Sequence, residues 1–255
     1  MEASVIVTET SAPAVPTGAP GGGGRDNVPV IRERLRADIL GGRLLPGAQI
    51  SQAGVAAEFG VSRGPVREAF RLLERDGLIE ARVNHRARVT GLSVHELEHL
   101  YTLRVVSESL AVSVSVPAFT GDELDELDRL GEVLRTTDTA TFDFDTWDEV
   151  HQRFHMLLLA HSGAQMLGTA AEWAAHTQRY RRVFAEEGRG LPPGAGEHAV
   201  LAQLCRDGDG AAAARLLALH LSRAALTLIA QMAPTYDPVL LRAGIRQVLG
   251  AESRP

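Results

Sequence analysis

Phe59-Gly60-Val61-Ser62-Arg63-Gly64-Pro65-Val66-Arg67-Glu68-Ala69 is the stretch that decides how the chain folds. Gly60 stops the short segment before it, and Ser62 sits where a helix wants an N-cap. Pro65 falls in the first turn of the helix so opened, where no intrahelical donor is lost. Val66, Ala69/Phe70 and Leu73 recur at i, i+3/i+4, i+7, the inward stripe of a helix that Asp76-Gly77 ends. The opposite face carries Arg63, Arg67 and Arg71.

Working outward, Val30, Ile31, Leu35, Ile39 and Leu40 predict an amphipathic first helix. Gly41-Gly42 stops it, and Leu45-Pro46-Gly47 makes a turn. Ser51 is placed to cap a short second helix through Phe59. Downstream, Ile79, Ala81 and Val83, then Ala87 and Val89, alternate with polar residues and predict a two-stranded hairpin with Asn84-His85 near its tip. Helix, helix-turn-helix and wing make a winged helix-turn-helix, whose second motif helix enters the major groove N-terminus first. Arg63 and Arg67 then face base edges or phosphate, with Arg71 a turn further on. Arg82, Arg86 and Arg88 on the wing would meet backbone or minor groove.

Charge agrees once it is read by segment. The 255 residues carry a formal charge of −6, and all 26 basic residues are arginine. Residues 28–91 hold 11 Arg against 7 acids, whereas residues 92–255 hold 14 Arg against 22 acids. A basic unit is therefore joined to an acidic one, which excludes a chain that is basic throughout but not a nucleic-acid reader. Residues 1–27 are Ala, Pro, Thr, Ser and Gly without periodicity and are expected to be a disordered tail. The N-terminus lacks a basic signal region, no apolar run approaches a membrane span, and the lone Cys205 fits a reducing, cytoplasmic setting.

The residues Leu45-Pro46-Gly47, the opening stretch and Leu73-Glu74-Arg75-Asp76-Gly77-Leu78-Ile79 closely resemble the DNA-binding domain of GntR-type bacterial transcription regulators. The resemblance covers 28–91 and implies that Arg63 and Arg67 are the main operator contacts, with the wing tip as an additional one. Ser62, Arg71, His85 and Arg86 complete the candidate DNA-reading set, with a solvated arginine face as the alternative for Arg71. It also implies a homodimer on a two-fold double-stranded DNA operator. Arg86 stands where the family usually has Gly, and Gly54 sits where a better helix former is common.

Residues 92–233 read as helices almost throughout, with capping boxes at Ser93…Glu96 and Thr120…Glu123 and no alternating segment. An all-α bundle of six to seven helices is expected, followed by an extension, 234–255, holding a short helix at Val239–Leu249. His151 and His155 lie at i,i+4, the spacing that lets two imidazoles meet one metal. His95 and His99 share that spacing, so spacing alone is weakly specific. A satisfied core His155 and a solvated His95/His99 face are the alternatives. Cys205 is expected to be buried as a small hydrophobe, and Trp147 and Phe154 to belong to the core.

Arg104 with Glu108, Phe154-His155, Ser162-Gly163, Glu197-His198 and His220-Leu221 resemble the C-terminal FCD ligand-binding domain of the FadR subgroup. That resemblance implies a metal held by His155, His198 and His220, with a carboxylate at the position of His151. Either His151 replaces that carboxylate or Asp148, one turn earlier, supplies it. Imidazoles favour zinc, nickel or copper over magnesium or calcium, with zinc or nickel expected here. A metal that keeps its charge among neutral ligands invites a small carboxylate-type effector, with Arg104 assisting. The alternative role for Arg104 is a simple pair with Glu108 at i,i+4. The function so implied is a ligand-responsive regulator, most simply a repressor. The alternatives are a metal-free acyl-ligand regulator and a metal-dependent hydrolase fused to a reader.

Overall fold

The computed structural model describes residues 27–82, 86–137, 143–186 and 195–250. Residues 1–26 of the predicted tail, Val83, the wing tip with His85, and the 191–194 loop lie outside the described residues, while Asn27, read as the end of the tail, instead opens the first helix.

The basic unit runs α1 (Asn27–Leu40), β1 (Gln49–Ser51), α2 (Gln52–Glu58), α3 (Arg63–Arg75), β2 (Ile79–Arg82) and β3 (Arg86–Val89). The expected inward set of α3 is buried: Val66, Ala69, Phe70 and Leu73 pack with Ile31, Leu35 and Ile39 of α1. Arg32 of α1 holds Asp76 at the end of α3 through two hydrogen bonds of 3.0 and 2.6 Å. Burying these side chains supplies roughly 25 cal/mol per Å² of apolar surface, which is what fixes so small a unit.

Three details correct the sequence reading. The wing is three-stranded, in the order β1-β3-β2, with Ile50 opposite Ala87 and Ile79 opposite Val89. Strand β1 has only three residues, too few to show alternation, and it exists only by pairing with β3, far along the chain. Second, Ser51 does cap α2 by accepting from the Gly54 amide, but Ser62, although extended at the N-cap position, makes no side-chain bond to α3. Third, Ser93 accepts from the Glu96 amide without the reciprocal half of a capping box. The Glu96 carboxylate instead accepts from Tyr180 Oη and the Arg179 guanidinium. The box at Thr120…Glu123 is complete.

The acidic unit consists of α4 (Val94–Ser115), a 3₁₀ turn (Val116–Ala118), α5 (Gly121–Thr136), α6 (Phe144–Leu158), α7 (Ala164–Glu186), α8 (Ala195–Arg206), α9 (Gly210–Met232) and α10 (Val239–Leu249). Helix α4 packs against α7, α9 and α10, while α5 is held between α6 and α8. Leu97, Tyr101, Val105, Phe154, Leu217 and Leu241 belong to one shared core. Pro238 gives α10 no side-chain cap, and buried Glu98 replaces it by accepting from the Leu240 and Leu241 amides at 2.8 and 3.1 Å. Helix α9 is, contrary to expectation, long and apolar enough by composition to cross a membrane. Some 56% of its most apolar stretch is buried within the bundle, as in a core helix.

Gly131 of α5 positions the site described next. A Cβ there would stand 3.3 Å from the His198 carbonyl oxygen and from the Ala199 Cα, tighter than ordinary packing. Only glycine lets α8 approach α5 so closely, and α8 carries His198.

Candidate metal centre and DNA-reading face

Three helices each deliver imidazoles to one point in the acidic unit. Helix α6 brings His151 and His155 from adjacent turns, α8 brings His198, and α9 brings His220. All four are buried, and one ligand atom from each lies within 4.8 Å of the others. Ring centroids are 4.5 Å apart for His151 and His155, 4.7 Å for His198 and His220, and 5.2 Å for His155 and His220.

The electrostatics suit a cation. Burial, and then the proximity of the other imidazoles and Arg181, pushes His151 well below its ordinary pKa. His155 is lowered in the same way, by burial first and then by His220 and His198. Both are therefore neutral, the form that donates a lone pair. Neither ring nitrogen of buried His155 has a hydrogen-bond partner. A buried polar atom left so costs about 1–3 kcal/mol, which ligation would recover. His220 Nδ1 meets Glu197 Oε2 at 2.9 Å, an interaction that orients the ring and frees Nε2. The residues present thus fit a divalent metal.

Asp148 does not join them. Its two oxygens accept from Arg181 at 2.7 Å and from Gln152 at 2.8 Å, so its charge is spent in a buried ion pair. His151 occupies the position instead, its ring stacked on Trp147 at 4.5 Å and 21°. Arg104 is near enough to act on His155 through its charge but is committed: Nε donates to Glu108 Oε1 at 2.6 Å and Nη1 to Thr177 at 2.8 Å. The i,i+4 pairing with Glu108 is therefore present.

The second histidine pair stays apart. His95 and His99 are exposed, and His95 Nδ1 meets the Tyr236 hydroxyl at 3.0 Å. Cys205 is buried in the core, its thiol pushed up to about 12 by burial and by Asp128, and it stands outside the cluster. Sequence spacing singles out neither Glu197 nor the Trp147 stack. An acid adjacent to a ligand-type histidine is the available signal for Glu197, but its pairing with His220 spans 23 positions.

On the basic unit, Ser62, Arg63, Arg67 and Arg71 share the exposed N-terminal face of α3. Arg71 pairs with Glu68 at 3.1 Å. Arg86 is exposed on β3 and reaches Gln49 at 3.3 Å, while Arg88 donates to the Gly47 carbonyl at 3.2 Å. The unforeseen strand β1 thus braces Arg86, and the turn before it braces Arg88.

Comparison with known proteins gives two family matches. Residues 29–89 match the model described as bacterial regulatory proteins, gntR family, and residues 99–223 match the FCD domain. An uncharacterized HTH-type transcriptional regulator of Bacillus subtilis (strain 168), YdhC, is 32% identical over 152 residues, covering 59% of this chain and 67% of the relative. The HTH-type transcriptional repressor GlaR of Escherichia coli (strain K12) is 30% identical over 139 residues, covering 52% of this chain and 62% of the relative. Among solved structures, E. coli McbR/YncC has a TM-score of 0.67 at 20% identity, over 80% of this chain and 98% of that one. A putative GntR regulator from Rhodococcus sp. RHA1 has a TM-score of 0.67 at 22% identity, over 83% and 100%. At these identities the structural likeness establishes the fold.

Proposed function

The chain belongs to the GntR family of bacterial transcription regulators, and we propose that it is a repressor whose operator affinity is set by a divalent metal and a small anionic effector. The observation that carries this is the set of four buried imidazoles, one with both nitrogens unpartnered, built where an FCD domain matches. Some relatives are named repressors, GlaR among them. His151, His155, His198 and His220 hold the ion, and an all-nitrogen donor set selects zinc or nickel over magnesium or calcium. A bound ion would supply a local +2 charge that attracts an anion. Arg104 adds to that field, with Glu108 and Thr177 taking three of its five N–H donors.

The reader is residues 28–91 and the sensor is residues 92–233, with 234–255 an extension that packs α10 onto α4. Ser62, Arg63, Arg67 and Arg71 face the major groove of a two-fold operator, and His85 and Arg86 meet the backbone at the wing. The chain acts as a cytoplasmic homodimer, because a single reader of this size covers only one half-site. Effector binding works as a population shift that favours the released state. A thermal-shift screen of carboxylic and sugar acids, with and without added zinc or nickel, tests the reading. Acids that raise the melting temperature only when metal is present support it. Acids that bind equally well to metal-stripped His155→Ala/His198→Ala protein contradict it.

A further inference from the structure

A continuous series of packed groups connects the histidine cluster to the basic unit. The His151 ring lies face to face with Trp147 at 4.5 Å. Trp147 meets Phe144, one turn earlier on α6, with ring centroids 6.1 Å apart. The Arg182 guanidinium of α7 sits 4.6 Å over the Phe144 ring and pairs with Asp145. The aliphatic stem of the same arginine fills the space where a Cβ on Gly42 would stand. Gly42 belongs to the turn that follows α1, with φ +74, a conformation that side chains resist. Half-buried Ala175 of α7 also packs against the core of the basic unit. The adjacent Arg181 ties α7 to Asp148, which lies one turn before His151 on α6.

We propose that Arg182 is the joint that carries metal occupancy to the DNA reader, along His151, Trp147, Phe144, Arg182 and Gly42. This rests on the metal reading given above and adds its route of regulation. A ring stacked face to face moves with its neighbour when it reorients, and half-buried Trp147 is held against the core, where close packing transmits displacement. Helix α6 holds Phe144 and His151 about 10.5 Å apart along one axis, and Phe144 meets Arg182 of α7. At the far end, Gly42 leaves Arg182 no free space. Movement of the arginine stem must therefore move the turn that positions α1, and α1 packs on the DNA-facing α3.

The test uses the full chain and zinc alone, read by hydrogen exchange at the Gly41–Leu44 amides and by Trp147 fluorescence in a Trp173→Phe background. In the parent protein, zinc slows exchange at these amides by about five-fold or more, the low end of ordinary coupling between sites. Arg182→Ala keeps the zinc titration of Trp147 fluorescence but loses the slowing. Should Arg182→Ala fail to fold, Phe144→Leu removes the ring beneath the guanidinium, and the same loss is expected. Equal slowing in the variant that folds, or zinc binding without slowing in the parent, overturns the joint and leaves the metal reading standing. A parent that binds no zinc overturns both.

Discussion

Replacing His155 with leucine should make the metal-free protein more stable, the reverse of most core substitutions. The side chain is 2% exposed and both ring nitrogens lack partners. At about 1–3 kcal/mol for each such atom, the metal-free fold carries roughly 2–6 kcal/mol of unrecovered desolvation. Leucine has similar bulk, and a volume-conserving exchange costs less than about 1.5 kcal/mol in repacking. The net gain should be about 0.5–6 kcal/mol, or roughly 1–24 °C in melting temperature at 2–4 °C per kcal/mol. Zinc at about a hundred times its dissociation constant for the parent would add about 2.7 kcal/mol to the parent and far less to the variant, which has lost one of the four imidazoles. Calorimetric melting should therefore show the variant ahead in chelator, with zinc narrowing that lead or reversing it. A His155→Leu protein several kcal/mol less stable than the parent in chelator would show that His155 is a satisfied core residue, and the reasoning would fail.

Three further outcomes follow from the same geometry. His151 and His155 have pKa values lowered by burial, so the unfolded chain takes up protons near the ordinary value of 6.5 while the native one does not. Metal-free stability is then fully present above that value and declines as pH falls below it, by up to about 1.4 kcal/mol per unit for each histidine; a melting temperature flat from pH 7 to 5 would count against it. Gly54 is exposed in α2, and an added Cβ would meet only the Ser51 Cβ at 3.7 Å. Gly54→Ala should therefore stabilise by about 0.4–1 kcal/mol in urea melts. Arg67→Ala should weaken binding to selected operator DNA and flatten the plot of log affinity against log salt by about one for each phosphate it no longer neutralises. A parent slope near zero would mean that the arginine face does not meet phosphate.

What the sequence revealed depended on range. The α3 stripe, the Ser51 cap, the Thr120 box and the Arg104–Glu108 pair are local patterns, and each is present in the structure. Strand β1 was not legible, because three residues cannot show a period and their pairing is set by β3. Glu96 has the spacing of a capping box, yet Tyr180, 84 positions on, claims its carboxylate. Spacing could not choose between Asp148 and His151 either. The choice depends on Arg181, which reaches Asp148 from α7 and leaves the imidazole facing the cluster. Periodicity describes one helix at a time, whereas the site is made where α6, α8 and α9 meet.

Elemental analysis after equilibrium dialysis against zinc tests the central claim most directly. The account predicts one ion per chain in the parent and none in the double variant His155→Leu/His198→Leu, which leaves only two imidazoles at the site. A parent without zinc, or a variant that retains its ion, would contradict it.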